Sequence, residues 1–188
     1  MAAFQAVRTL RADFVQTVRD PMIGTNETSR GEFLQERPDR FAMRWRDPAG
    51  DMIVSDGQFL WVYLPSSTPG QVIRSALNRS RGGTPDVVAD FLDRPRERFE
   101  VSHERTEAVG GRPADVLALV PRDRNAPYRR VLLWIDRGDA LPRQVEITEA
   151  SGAVRRVTLQ RLRVNPRLPA GSFEFRVPPG ARVVDATR

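Results

Sequence analysis

Residues 40–65 read RFAMRWRDPAGDMIVSDGQFLWVYLP, and this stretch decides the fold. Phe41, Met43 and Trp45 alternate with Ala42, Arg44 and Arg46. Successive strand side chains point to opposite faces, so the alternation describes a half-buried strand with one bulky apolar face and one mostly cationic face. Asp47-Pro48-Ala49-Gly50 turns the chain. Asp56-Gly57 is a strong two-residue hairpin signal, and residues 59–64 run on as a further strand to Pro65. The pattern is that of consecutive antiparallel hairpins.

Working outward, residues 31–36 form a strand ended by Arg37-Pro38-Asp39, and residues 71–75 give a short strand after the 65–70 turn. Residues 4–18 place Phe4, Val7, Leu10, Phe14, Val15 and Val18 at spacings of three and four, which predicts a helix ended by Asp20-Pro21 and Gly24. A second helix is expected after the Thr84-Pro85-Asp86 cap, with Val87, Val88, Phe91 and Leu92 on one face and a stop at Asp93-Arg94-Pro95. Five further strands follow at 99–106, 112–120, 128–135, 143–149 and 154–163, then short extended pieces at 173–175 and 181–185. Strands follow strands, which excludes a parallel βαβ fold. About ten or eleven strands must roll up or stack, because a flat open sheet of that size exposes its edges and an apolar face. One domain over 1–188 is expected from the length.

Net charge is +6, yet all 30 basic positions are Arg and none is Lys, and the arginines are interleaved with Asp and Glu, as in Arg122-Asp123-Arg124. Nucleic-acid affinity needs cations clustered on one face, so that partner is not expected. With no Cys, a disulfide framework and Cys-based metal or nucleophile chemistry are ruled out. The longest unbroken apolar run, 59–64, is far below the roughly 20 residues that span a bilayer, so the protein is expected to be soluble. Residues 1–4 lead into an amphipathic segment without the charged and apolar regions of a secretory signal.

No reaction is implied. His103, the one histidine, has no metal-ligand or carboxylate spacing around it, and no GxSxG elbow is present. Asp51, Asp56, Asp136 and Asp139 fall at hairpin ends, where Asp accepts backbone hydrogen bonds. Metal and cofactor sites are not expected, and neither is catalysis. What remains is an apolar set that includes Phe33, Phe41, Met43, Trp45, Phe59, Trp61, Tyr63, Phe91 and Trp134. It is either an ordinary packed core or, if the sheet rolls up at this strand number, the lining of a cavity.

The segments 37–45 and 53–65 resemble the LolA-type outer-membrane lipoprotein carriers. Leu10 to Phe14-Val15-Gln16 is similar to that family's first helix running into its first strand. Leu168-Pro169, Phe173-Glu174-Phe175 and residues 178–185 are similar to its closing strands. The resemblance implies an unclosed antiparallel β-barrel with a lid of short α-helices and no cofactor. It implies a periplasmic monomer that takes lipoprotein acyl chains from an inner-membrane transporter and passes them to an outer-membrane receptor. Arg37 matches the residue that latches the lid, and Phe41 one that matters for cargo transfer. The expected acyl-chain lining is Phe14, Phe33, Phe41, Met43, Trp45, Phe59, Trp61, Tyr63, Val88, Phe91, Leu92, Leu117, Leu119, Val131, Leu133, Val145 and Ile147. The second reading is a binding module on the same fold that senses lipid or lipoprotein.

Overall fold

The computed structural model describes residues 6–77, 91 and 95–186. Among them are twelve strands: β1 (Thr9–Asp20), β2 (Thr25–Glu36), β3 (Arg40–Asp47), β4 (Ala49–Asp56), β5 (Phe59–Tyr63), β6 (Gln71–Ala76), β7 (Phe99–Val109), β8 (Arg112–Pro121), β9 (Tyr128–Asp136), β10 (Pro142–Glu149), β11 (Val154–Val164) and β12 (Arg182–Asp185). One short helix, α1 (Pro95–Arg98), precedes β7. Hydrogen-bonded neighbours run in the order β12, β6, β5, β4, β3, β2, β1, β11, β10, β9, β8, β7, so the sheet is unclosed and ends at β12 and β7. The hairpins read from the 40–65 stretch are present in register, with Phe41 opposite Ser55 and Val54 opposite Trp61.

Three expectations are corrected. The helix over 4–18 is replaced, in its described part, by β1. Leu10, Phe14 and Val18 recur every four residues, a spacing that fits a helix and a strand equally. Ala12 and Gln16 between them are also buried, and these small and polar side chains concealed the period of two. β-branched Thr9, Val15, Thr17 and Val18 favour the extended form. A lid of several helices is not present among the described residues: α1 is the one complete helix, and it starts at Pro95, where the second helix was expected to stop. Proline suits a first helical turn because its missing N–H has no intrahelical partner there. The expected 84–92 helix lies outside the described residues except for Phe91. Finally, the strand count among the described residues is twelve, and residues 173–175 are not a strand.

The chain groups into two compact units. One holds Phe14–Thr28 and Phe91–Gln160, the other Val7–Asp13, Ser29–Asp90 and Arg161–Arg188. In the first, β7 to β11 form an antiparallel array of which both faces are packed. Ala114, Val116, Ala118, Leu132 and Trp134 make one core cluster. The Trp134 indole N–H donates to the Glu107 carboxylate, and the guanidiniums of Arg105 and Arg156 lie 5.7 and 5.9 Å from its ring centre. That cation cover roofs an otherwise water-facing side of the sheet.

In the second unit, Leu34, Ala42 and Val54 form a core cluster covered by Leu168, Phe173 and Phe175 of the C-terminal segment. Asn165 starts this strap. It adopts φ 53°, its N–H donates to the Thr9 carbonyl at 2.9 Å, and its Oδ1 accepts from the Arg8 N–H at 2.8 Å. Asn tolerates the left-handed region better than most residues, and its side chain serves the local backbone. Further on, Arg44 donates to the Ser172 carbonyl at 2.8 Å, and Phe175 stacks on Trp61 with ring centres 5.1 Å apart. Beyond the strap, β12 pairs in parallel with β6, and Arg74 grips Asp185 through two bonds of 2.6 and 2.9 Å.

Candidate functional site

In the second unit the strand register sorts the expected lining residues by face. Phe33 lies opposite Met43, Phe41 opposite Ser55 and Gly31 opposite Trp45, so Phe33, Phe41, Met43 and Trp45 share one side. All four are buried, at 2–9% exposure. Trp45 keeps its indole N–H satisfied by Ser29 Oγ at 3.0 Å, as a buried indole requires. Gln35 and Ser55 belong to the same face and are buried polar residues that the hydrophobic pattern did not reveal. Ser55 donates to the Asp39 carbonyl at 2.5 Å, whereas Gln35 Oε1 has no hydrogen-bond partner among the described residues.

Phe59, Trp61 and Tyr63 stand on the opposite side. Trp61 faces Val54 and Tyr63 faces Met52, both one residue out of step with Ile53 and Ser55. These aromatics form a platform for the strap: Trp61 and Tyr63 contact Phe175, and Arg74 lies 5.1 Å over the Phe59 ring. Asp56 anchors the platform by accepting from the Gln58 and Phe59 N–H groups and the Trp61 indole at 2.7–2.8 Å. Burial pushes the Asp56 carboxyl up, but these donors outweigh it and hold it below the usual carboxylate range. The single lining drawn from the sequence is thus split in this unit into four residues on one face and three on the other.

In the first unit, Leu117 opposes Leu133, Leu119 opposes Val131, Leu133 opposes Val145, and Val131 opposes Ile147. All six expected aliphatics share one face, joined by Val157 opposite Val145. Trp134 lies on the other face, in the cluster under the arginines. Phe91 takes part in an aromatic trio, with ring centres 6.0 Å from Phe99 and 5.5 Å from Tyr128, which seats the chain before β7. Phe14 is buried in β1 at 1% exposure. Val88 and Leu92 lie outside the described residues.

Arg37 follows β2 directly and is half-buried; its N–H donates to the Arg8 carbonyl at 2.9 Å, which fixes where its side chain starts. A groove of about 730 Å³ runs along residues 166–176 beside Thr9, Glu36, Arg40 and Asp56. None of the expected lining residues borders it. Strap residues Leu168, Phe173 and Phe175, expected from the sequence as closing strands, instead cover a core cluster; the signal for that role was three apolar side chains in a segment rich in Pro and Gly. Among the described residues, no group of three or more His, Cys, Asp or Glu could hold a metal ion.

Among the described residues the arrangement offers apolar faces sorted by strand register. The family model described as "Outer membrane lipoprotein carrier protein LolA" matches residues 5–176. An outer-membrane lipoprotein carrier protein from Alkalilimnicola ehrlichii is 31% identical over 97% of this chain and 80% of its own length. One from Bordetella avium is 30% identical over 98% of this chain and 85% of its own. In fold, an uncharacterized conserved protein from Thermus thermophilus superposes with a TM-score of 0.60 at 14% identity, covering 97% of this chain and 93% of that one. With the family model covering nearly the whole sequence, the chain belongs to the LolA family of outer-membrane lipoprotein carriers.

Proposed function

We propose that this chain is a periplasmic carrier, acting as one domain over 1–188, that holds the acyl chains of lipoproteins in an unclosed antiparallel barrel and ferries them between the inner and outer membranes. Family membership supports the reading. The observation that carries it is the segregation of side chains by strand register: Phe33, Phe41, Met43 and Trp45 share one face, and Leu117, Leu119, Val131, Leu133, Val145 and Ile147 share another. An acyl chain gains about 0.8 kcal/mol per buried CH₂, so such faces supply affinity without any charged recognition group. Release then needs a gate that opens cheaply, and Arg37 is the residue assigned to it. No cofactor or reaction enters; loading comes from an inner-membrane transporter and unloading goes to an outer-membrane receptor.

The test is titration of the purified chain with a fluorescent fatty acyl probe. Saturable binding, competed by an unlabelled long-chain acid and lost in Phe41→Glu, is the expected result. A folded chain that binds no probe would overturn the reading.

A further inference from the structure

We propose that the tip of the β1–β2 hairpin is a membrane-touching point that dips Met22 and Ile23 into the surface of a lipid bilayer. These side chains are 79% and 72% exposed, whereas the next large apolar side chain among the described residues, Val120, reaches only 45%. They are adjacent in sequence and sit at the turn itself, between Pro21 and Gly24. The turn is well built: Asp20 Oδ1 accepts the Met22 N–H at 2.9 Å, and Gly24 takes φ 70° to reverse the chain. Such a conformation holds both side chains outward.

The choice of a bilayer as occupant follows from shape, area and charge. Two side chains on a convex turn fall far short of the roughly 800 Å² per partner that a stable protein interface buries. A bilayer asks for no matching pocket, and an apolar tip enters the headgroup boundary by roughly 5–10 Å. Along the hairpin Arg19 is matched by Asp20 and Glu27, and at the start of neighbouring β11 Arg155 and Arg156 are paired with Glu149 and Glu146, so among the described residues no unpaired cationic patch draws the tip to anionic headgroups. The attraction is apolar and therefore insensitive to salt. For a carrier, such a contact shortens the stretch of water an acyl chain crosses at transfer. Cargo binding is a separate property, read by an acyl probe and not by the tip.

The chain has no Cys, so Ile23→Cys gives one labelling site for an environment-sensitive fluorophore. Arg124→Cys, at an exposed turn, serves as the control. The probe is a vesicle of phosphatidylethanolamine and phosphatidylcholine, offered to the full chain. We expect a blue shift at position 23 and none at 124, unchanged between low and high salt. The double variant Met22→Ser, Ile23→Ser should lower the vesicle-bound fraction at least tenfold, as the loss of two apolar anchors requires. A silent label at 23, equal responses at both positions, or a shift that depends on protein concentration without lipid, which would mark a second copy, each overturns the proposal.

Discussion

The ring of Phe175 lies 5.1 Å from that of Trp61 and within 16° of parallel, on the side of the sheet that Phe41 does not share. Stacked aromatics of this kind add roughly 0.5–1.5 kcal/mol to the area they bury. The two faces of β3 to β5 therefore have separate tasks. One carries the candidate acyl lining, and the other anchors the C-terminal strap.

Phe175→Ala should lower stability by roughly 2 kcal/mol, less than for a fully buried Phe because the ring is partly exposed, and leave acyl-probe affinity within about twofold. Phe41→Ala, at a position 2% exposed, should reduce probe affinity about tenfold or more. Urea unfolding and probe titration on both variants separate the faces; equal loss of probe binding in both would contradict the division.

Arg37→Leu should hold the acyl probe more tightly and slow its dissociation by about tenfold, because hydrogen bonds to a charged group contribute roughly 1.5–3 kcal/mol to whichever state they close. Stopped-flow displacement measures this directly. An unchanged release rate would strip Arg37 of the latch role.

Asp136 has a side chain only 1% exposed and accepts from Arg112, from Gly138 N–H at 2.7 Å and from Arg143 at 3.0 Å. The Arg112 hydrogen bond, with help from Gly138 and Arg143, outweighs burial and holds its carboxyl well below the usual carboxylate range. A depressed carboxyl stabilises the fold above its unfolded value of about 4, and that contribution fades as pH falls from there towards the folded value. Asp136→Asn should cost about 2–3 kcal/mol at neutral pH and flatten the acid limb of the stability curve below about pH 4. Denaturation midpoints between neutral pH and about pH 3 provide the check; an acid limb as steep as wild type would assign it to other carboxylates.

Asn165 combines a left-handed backbone with acceptance of the Arg8 N–H. Asn165→Gly keeps the first and loses the second, at a cost of about 1 kcal/mol. Asn165→Ala loses both and should cost about 1 kcal/mol more. Equal stability of the two variants, by thermal unfolding, would show that backbone strain contributes nothing at this junction.

Read from sequence alone, alternation at 41, 43 and 45 and the Asp56-Gly57 turn were enough for the antiparallel hairpins, since strand period and turn chemistry are local properties. The same reasoning gathered Leu117, Leu119, Val131, Leu133, Val145 and Ile147, whose odd numbering and even pairing sums preserve one face from strand to strand. Residues 4–18 read as a helix because a spacing of four satisfies both periods, and only the strand partners on each side of β1 decided for the extended form.

The sequence placed Phe59, Trp61 and Tyr63 in one lining with Phe41, but nothing in residues 59–64 said which of them share its face. That depends on how many residues the turn consumes, because a one-residue change in register moves every side chain to the opposite side. Composition and local pattern thus determined a strand-rich chain with apolar faces. The tertiary structure decided that Phe59, Trp61 and Tyr63 stand on the strap side while Phe33, Phe41, Met43 and Trp45 share the other, since a face is a property of paired strands and not of either strand alone.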